Sequence, residues 1–152
     1  PEECGFTYRD SIFKHNKDVV LKAWFKFTLG EKAKMMAEIQ DYLKKRAGKY
    51  PTFPSGGSFF KNVDVTVWKD NQEELPSEFI KLGKIPAGWL IEQAGLKGLA
   101  EGGCMVSKEH GNFIINFKNG RQQDILRLVE KIKQTVYDRF KIELEEEVVL
   151  IS

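Results

Sequence analysis

Apolar residues recur along this chain with two distinct periods, and the switches between them mark out its elements. Through 19–29, "VVLKAWFKFTL", Leu21, Ala23, Phe25, Phe27 and Leu29 fall on one face, and Lys22, Trp24, Lys26 and Thr28 on the other. That two-residue alternation predicts a strand. After Gly30 the period changes: Met35, Met36, Ile39, Tyr42 and Leu43 are spaced for a helix, with Lys44, Lys45 and Arg46 near its end, where the helix dipole favours cations. Gly48 and Pro51 close it. "YPTFPSGGS" predicts a loop, "SFFKNVDVTVW" a further extended stretch rich in β-branched and aromatic residues, and the polar "KDNQEELPSEF" an exposed insertion.

In the second half, "IPAGWLIEQAGLKG" predicts a short helix begun near Pro86 and closed by Gly98, with Trp89, Leu90 and Ala94 turned inward. "CMVS" and "NFIINF" read as strands joined by a turn at "EHG". The clearest element is a helix through "DILRLVEKIKQTVYDRF", where Ile125, Leu128, Val129, Ile132, Val136 and Phe140 repeat at three and four residues. A last strand is expected at "EVVLIS". The sum is an α+β fold with a mixed or antiparallel sheet and about three helices.

Composition narrows the chemistry mainly by exclusion. A chain of 152 residues, 41% hydrophobic and 12% aromatic, can bury one ordinary core. Its 24 basic and 22 acidic residues leave a net charge of +2, which gives no reason to expect nucleic acid or an anionic membrane as partner. The two cysteines, Cys4 and Cys104, form no disulfide framework or four-cysteine zinc site, and a reducing cytosol suits them. No apolar run approaches the length of a membrane span. "GGSFFK" lacks the order of a phosphate-cradling loop, Ser58 is not in a hydrolase elbow, and His15 and His110 lack the helical spacing of a zinc pair, so no metal is expected.

Several polar residues remain: Arg9 in "YRDS", Ser58 after a glycine pair, Lys61 and Asn62 just beyond it, Gln93 on the short helix, and Glu147 in "LEEEVVL". Taken singly, each has a plain explanation: an ion pair for Arg9, a turn cap for Ser58, a solvated amide for Gln93, a charged loop for the glutamates. Their order says more. "YRDSIFK", "PSGGSFFKN", "IPAGWLIEQAGLKG", "KEHGNFIIN" and "LEEEVVLI" resemble, in sequence and order, the carboxy-terminal half of the UDP-N-acetylenolpyruvoylglucosamine reductases, also called UDP-N-acetylmuramate dehydrogenases.

The resemblance implies a bacterial cytoplasmic oxidoreductase of peptidoglycan precursor synthesis, and so of cell-wall biogenesis, cell shape and division. In that family NADPH reduces bound FAD, and hydride then passes to the enolpyruvyl double bond of the UDP-sugar. It implies that Ser58 protonates the enol carbon, and that Arg9 and Glu147 flank the substrate carboxylate. Tyr8, Asn62 and Gln93 match positions near the substrate in the family, and Lys61 is a reasonable neighbour for a phosphate or carboxylate. Three departures touch local loop geometry: Val63 where the family commonly has proline, Gly56 where it has alanine, and Tyr50 where many relatives have glutamine. The glycine-rich loops that hold the FAD pyrophosphate have no counterpart here. The expectation is therefore a fragment: residues 1–30 a remnant of the FAD-binding domain, 31–141 a substrate-binding domain, and 142–152 a strand returning to the FAD-binding domain. Such a fragment needs the missing flavin half as partner and is expected to be inactive alone. The same pattern would also suit a non-catalytic nucleotide- or anion-binding α+β module that lacks a flavin domain.

Overall fold

A computed structural model describes residues 2–16, 18–68 and 75–150. They divide into two compact units after Arg46. In the first, Tyr8 and Arg9 form the tip of a tight turn closed by Thr7 and Asp10, the Thr7 N–H donating to the Asp10 carbonyl at 3.0 Å. The helix expected after Gly30 forms as α1, Lys32–Arg46. The strand expected at 19–29 does not form, and Leu21, Trp24, Phe27 and Leu29 are each 84% exposed or more. Alternation records which side of a segment could be buried, whereas a strand exists only where a neighbour takes its N–H and C=O groups.

The second unit contains β1 (Ser55–Ser58), β2 (Val63–Asp64), α2 (Ser77–Leu82), β3 (Lys84–Ile85), α3 (Ala87–Gln93), β4 (Ala100–Glu101), β5 (Cys104–Val106), β6 (Phe113–Asn116) and α4 (Gln122–Phe140). The larger sheet is antiparallel in the order β1-β6-β5-β4, and β2 pairs with β3 in a second, two-stranded sheet. The fold is α+β as expected, with four α-helices among the described residues where about three were anticipated. The additional one, α2, lies at the end of the stretch read as an exposed insertion, because Phe79 is buried and anchors it. Residues 69–74 of that stretch lie outside the described residues.

The amphipathic pattern of α4 buries Leu128, Val129, Ile132, Val136 and Phe140 against Ile85, Leu90, Ile91, Val106 and Leu144. Asp124 fastens the start of this helix: its carboxylate accepts the Arg121 N–H at 2.9 Å and the Gly103 N–H at 3.3 Å. Those backbone donors hold its pKa below the usual carboxylate value.

Three boundaries differ from the sequence reading. "SFFKNVDVTVW" is broken into short pieces, because the Asp64 carboxylate accepts the Thr66 N–H at 3.0 Å and its hydroxyl at 2.8 Å. This side-chain competition folds Val65–Trp68 into a 3-10 turn, and with Lys84 it holds the Asp64 pKa down to about 2. The helix after Pro86 stops at Gln93, where Gly95 turns left-handed at φ 74°, short of Gly98. It buries Leu90 as expected and Ile91 as well. "EVVLIS" forms no strand over 147–150; a single bridge, Glu146 with Phe60, lies just before it, and 151–152 lie outside the described residues.

Candidate functional site

Ser58 stands just after a break in the β1–β6 ladder. Ser55 faces Ile115 and Ser58 faces Phe113, three steps along one strand against two along the other, so one extra residue is accommodated between them. This is a β-bulge, which re-aims the side chains that follow it. Gly57 supplies the backbone freedom, with φ 86°, a conformation that a side chain would strain. Gly56 is different: a Cβ there would meet Val148 Cγ1 at 3.8 Å, an ordinary contact, so an alanine would fit this loop.

Beyond Ser58 the chain enters the core with Phe59 and Phe60, both buried, their ring centroids 5.1 Å apart. One flank of 59–61 is taken by the end of the chain. Glu147 N–H donates to the Phe59 carbonyl and Lys61 N–H to the Glu145 carbonyl, each at 2.8 Å. The fold therefore brings Ser58, Lys61 and Glu147 onto one short stretch of paired backbone. The Lys61 ammonium forms an ion pair with the Glu145 carboxylate.

Asn62 and Gln93 sit at opposite ends of α3. The Asn62 side-chain oxygen accepts the Ala87 N–H at 3.2 Å, capping the helix start, and the Gln93 carbonyl accepts a hydrogen bond from the Arg139 guanidinium. Six residues separate Ala87 from Gln93, about 9 Å of helix rise. Tyr8 and Arg9 belong to the first unit, at the tip of its turn. Arg9 adopts φ 58°, unusual for a residue with a side chain, and its carbonyl accepts the Lys14 ammonium at 2.7 Å.

The sequence reading named the turn before β6 but drew no site residue from it. There the buried Ser107 hydroxyl donates to the Glu109 carboxylate at 2.6 Å and accepts the Glu109 and His110 N–H groups at 3.1 and 3.2 Å. The His110 ring is stacked on Tyr50, centroids 5.7 Å apart, and its Nδ1 accepts the Asn112 N–H at 3.1 Å. Asn112 is only 4% exposed, and its side chain bonds both backbone groups of Phe60. The motif "KEHGNFIIN" contains Glu109, His110 and Asn112, but a polar residue in a turn gives no sign that it is buried.

Burial pushes the His110 imidazole pKa down, with a smaller push from Lys97 and an opposing one from Glu92. The folded protein thus binds this proton less readily than the unfolded chain, whose histidine titrates near about 6.5. The stabilisation is complete above that pH and is lost as pH falls through the lower folded value. Thermal melts are expected to show a falling Tm from about pH 7 to about pH 5, with the slope flattened in His110→Gln. Carboxylates whose pKa is lowered, Glu109 and Glu101 among them, titrate below this window.

A hollow of about 170 Å³ lies beside this turn, framed by Trp89, Glu92, Glu109 and His110. A second, of about 530 Å³, runs along α4 past Leu126, Lys133 and Tyr137, and none of the sequence-predicted site residues line it. Among the described residues, no cluster of three or more His, Cys, Asp or Glu could hold a metal ion, and no helix is long and apolar enough to cross a membrane.

In sequence and in fold this chain is similar to a class of reductases. The family model described as "UDP-N-acetylenolpyruvoylglucosamine reductase, C-terminal domain" matches residues 45–151. The reductase of that name from Carboxydothermus hydrogenoformans is 37% identical over 99% of this chain and 44% of its own length. The one from Solibacter usitatus is 38% identical over 96% of this chain and 48% of its own. The crystal structure of the reductase from Thermus caldophilus superposes with a TM-score of 0.70 at 32% identity, covering 96% of this chain and 45% of that one. The chain belongs to the UDP-N-acetylenolpyruvoylglucosamine reductase family. It spans a little under half the length of these relatives.

Proposed function

We propose that this chain is the substrate-binding and proton-donating part of a UDP-N-acetylenolpyruvoylglucosamine reductase, which forms UDP-N-acetylmuramate in the cytoplasmic stage of peptidoglycan precursor synthesis. The observation that carries the reading is the hydrogen bond from the Glu147 N–H to the carbonyl of Phe59, the residue that follows Ser58 and its bulge. The described residues offer no glycine-rich cradle for a flavin pyrophosphate. On this reading FAD, recharged by NADPH, is held outside this chain and supplies the hydride. Residues 1–30 and 142–152 belong with that flavin-binding part, 31–141 form the substrate domain, and the chain alone is inactive.

The chemistry asked of these residues is confined to the substrate. Hydride adds to the methylene carbon of the enolpyruvyl group, and the π electrons move toward the carboxylate as an enolate. The Ser58 Oγ–H proton then passes to the α-carbon, and water restores the serine proton, so one hydride and one proton reduce one double bond. A serine is a weak acid, so the developing charge must be held in place. Arg9 suits that task, because a guanidinium fork pairs with a carboxylate in two parallel hydrogen bonds. Glu147 acts in its protonated form or by orienting a neighbour, since a bare carboxylate beside an enolate would repel it. Tyr8, Lys61, Asn62 and Gln93 bind the UDP-sugar.

Titration of the 15N-labelled chain with UDP-N-acetylenolpyruvoylglucosamine tests the binding half of this reading. Amide shifts concentrated at Ser58, Asn62 and Gln93 are expected. A well-dispersed spectrum that does not move would mean that the flavin-binding part is needed to complete the pocket, or that this chain has left the chemistry behind.

A further inference from the structure

We infer that Asn112 is a positioning residue for Ser58, its side-chain amide standing in for the length of strand that β6 no longer provides; this rests on the proton-donor reading above. The β1–β6 ladder ends at Ser58 and Phe113. Past that point the partner chain turns away, held in its turn by the Ser107 hydroxyl. Phe60, 1% exposed, then has an N–H and a C=O facing a gap in an apolar core, where unmade backbone hydrogen bonds are costly. Asn112 fills the gap on both counts: Oδ1 accepts the Phe60 N–H at 2.9 Å, and Nδ2 donates to the Phe60 carbonyl at 2.8 Å. Its own carbonyl accepts the Phe59 N–H at 2.8 Å.

Three hydrogen bonds thus tie one residue to the two that follow Ser58. On the other side of the serine lies Gly57, left-handed, with open space where a Cβ would stand and its N–H donating to the Ser55 hydroxyl at 3.4 Å. A bulge hinged on a glycine leaves the direction of the next side chain loosely determined unless the chain is fixed downstream. Asn112 does the fixing. A leucine of similar volume would fill the space and leave Phe60 unpaired, so the amide is required by the backbone it serves and not by packing alone.

The test is a double-mutant cycle in the full-length flavoprotein that contains this chain. Asn112→Ala is expected to lower kcat for substrate reduction about tenfold, with KM changed by less than about twofold. In a Ser58→Ala background the same substitution is expected to cost less than about twofold more. Equal losses in both backgrounds would mark a merely structural amide and overturn the inference. Hydrogen exchange gives a readout apart from turnover: the Phe60 amide is expected to exchange at least about tenfold faster in Asn112→Ala while α4 amides stay protected. An unchanged Phe60 amide would also overturn it. Should Asn112→Ala fail to fold, Asn112→Asp serves, because a protonated carboxyl both accepts and donates; its turnover relative to wild type is expected to rise as pH falls, and a flat ratio counts against the clamp. A Ser58→Ala protein of normal activity removes the proton-donor reading and this inference together. A crippled Ser58→Ala beside a fully active Asn112→Ala removes this inference alone.

Discussion

Replacing Ser58 with alanine in the full-length protein is expected to lower kcat for reduction of the enolpyruvyl sugar by about a hundredfold or more, the usual worth of a positioned general acid. The substitution deletes one oxygen from a half-buried side chain, and the backbone of the bulge depends on Gly57 and on Phe59–Phe60, so the loop should keep its shape. On the function proposed above, reduction of the flavin by NADPH should proceed at the wild-type rate, because that half-reaction would ask nothing of this hydroxyl. Rapid-mixing measurements that follow the two half-reactions separately would show the loss in the second alone. Ser58→Cys, which keeps a transferable proton, is expected to fall between wild type and alanine. If Ser58 only caps a turn, Ser58→Ala turns over within about threefold of wild type, and the proton-donor assignment is wrong.

The largest loss of stability is expected from Phe140→Ala. Phe140 is the last residue of α4, 2% exposed, and its ring lies 5.5 Å from that of Trp68. Trp68 in turn meets Trp89, and Trp89 meets Phe79, at 5.7 and 5.4 Å. One side chain therefore terminates an aromatic row drawn from the 3-10 turn, α3, α2 and α4. A large-to-small change at a buried phenylalanine costs roughly 3–5 kcal/mol, from lost burial together with the cavity left behind. For a unit of this size that lowers Tm by more than about 10 °C, measurable by calorimetry. A shift of only a few degrees would mean that the row closes over the gap.

What the sequence disclosed depended on how local the cause was. The α4 helix was legible because its packing is written in one uninterrupted run of apolar spacing, and Asp124 and Gly103 only fix its start. The α+β class followed from the same periodicities. The strand expected at 19–29 shows the limit, since alternating side chains state nothing about who supplies the hydrogen bonds. The break-up of 58–68 was hidden for a related reason: the partners of that stretch are in turn β6, Asn112, the 145–147 segment and β3, and no residue within it names them. Asp64 was a readable signal, because an aspartate two residues before a threonine invites the local turn that forms.

Of the candidate site, the glycine pair before Ser58 was readable as backbone freedom, and Gly57 uses it. The nearness of Glu147 was not, and came only through the family likeness. Asn112 was missed because burial is a property of the whole fold, while "EHGN" taken locally looks like any solvated turn.

The flank of the serine stretch that binds 145–147 has a bearing on how the molecule is made. Lys61 and its partner Glu145 are 84 positions apart. A ribosome therefore joins the residues of the bulge, the sheet and the whole of α4 before it reaches the segment that pairs with Phe59 and Lys61. Alignment of the serine is among the last features the growing polypeptide acquires, later than the hairpins of the sheet, whose contacts are close in sequence. A polypeptide ending before residue 145 would contain its sheet strands and all of α4, yet have one side of the Ser58 loop open to water and to misplaced pairing.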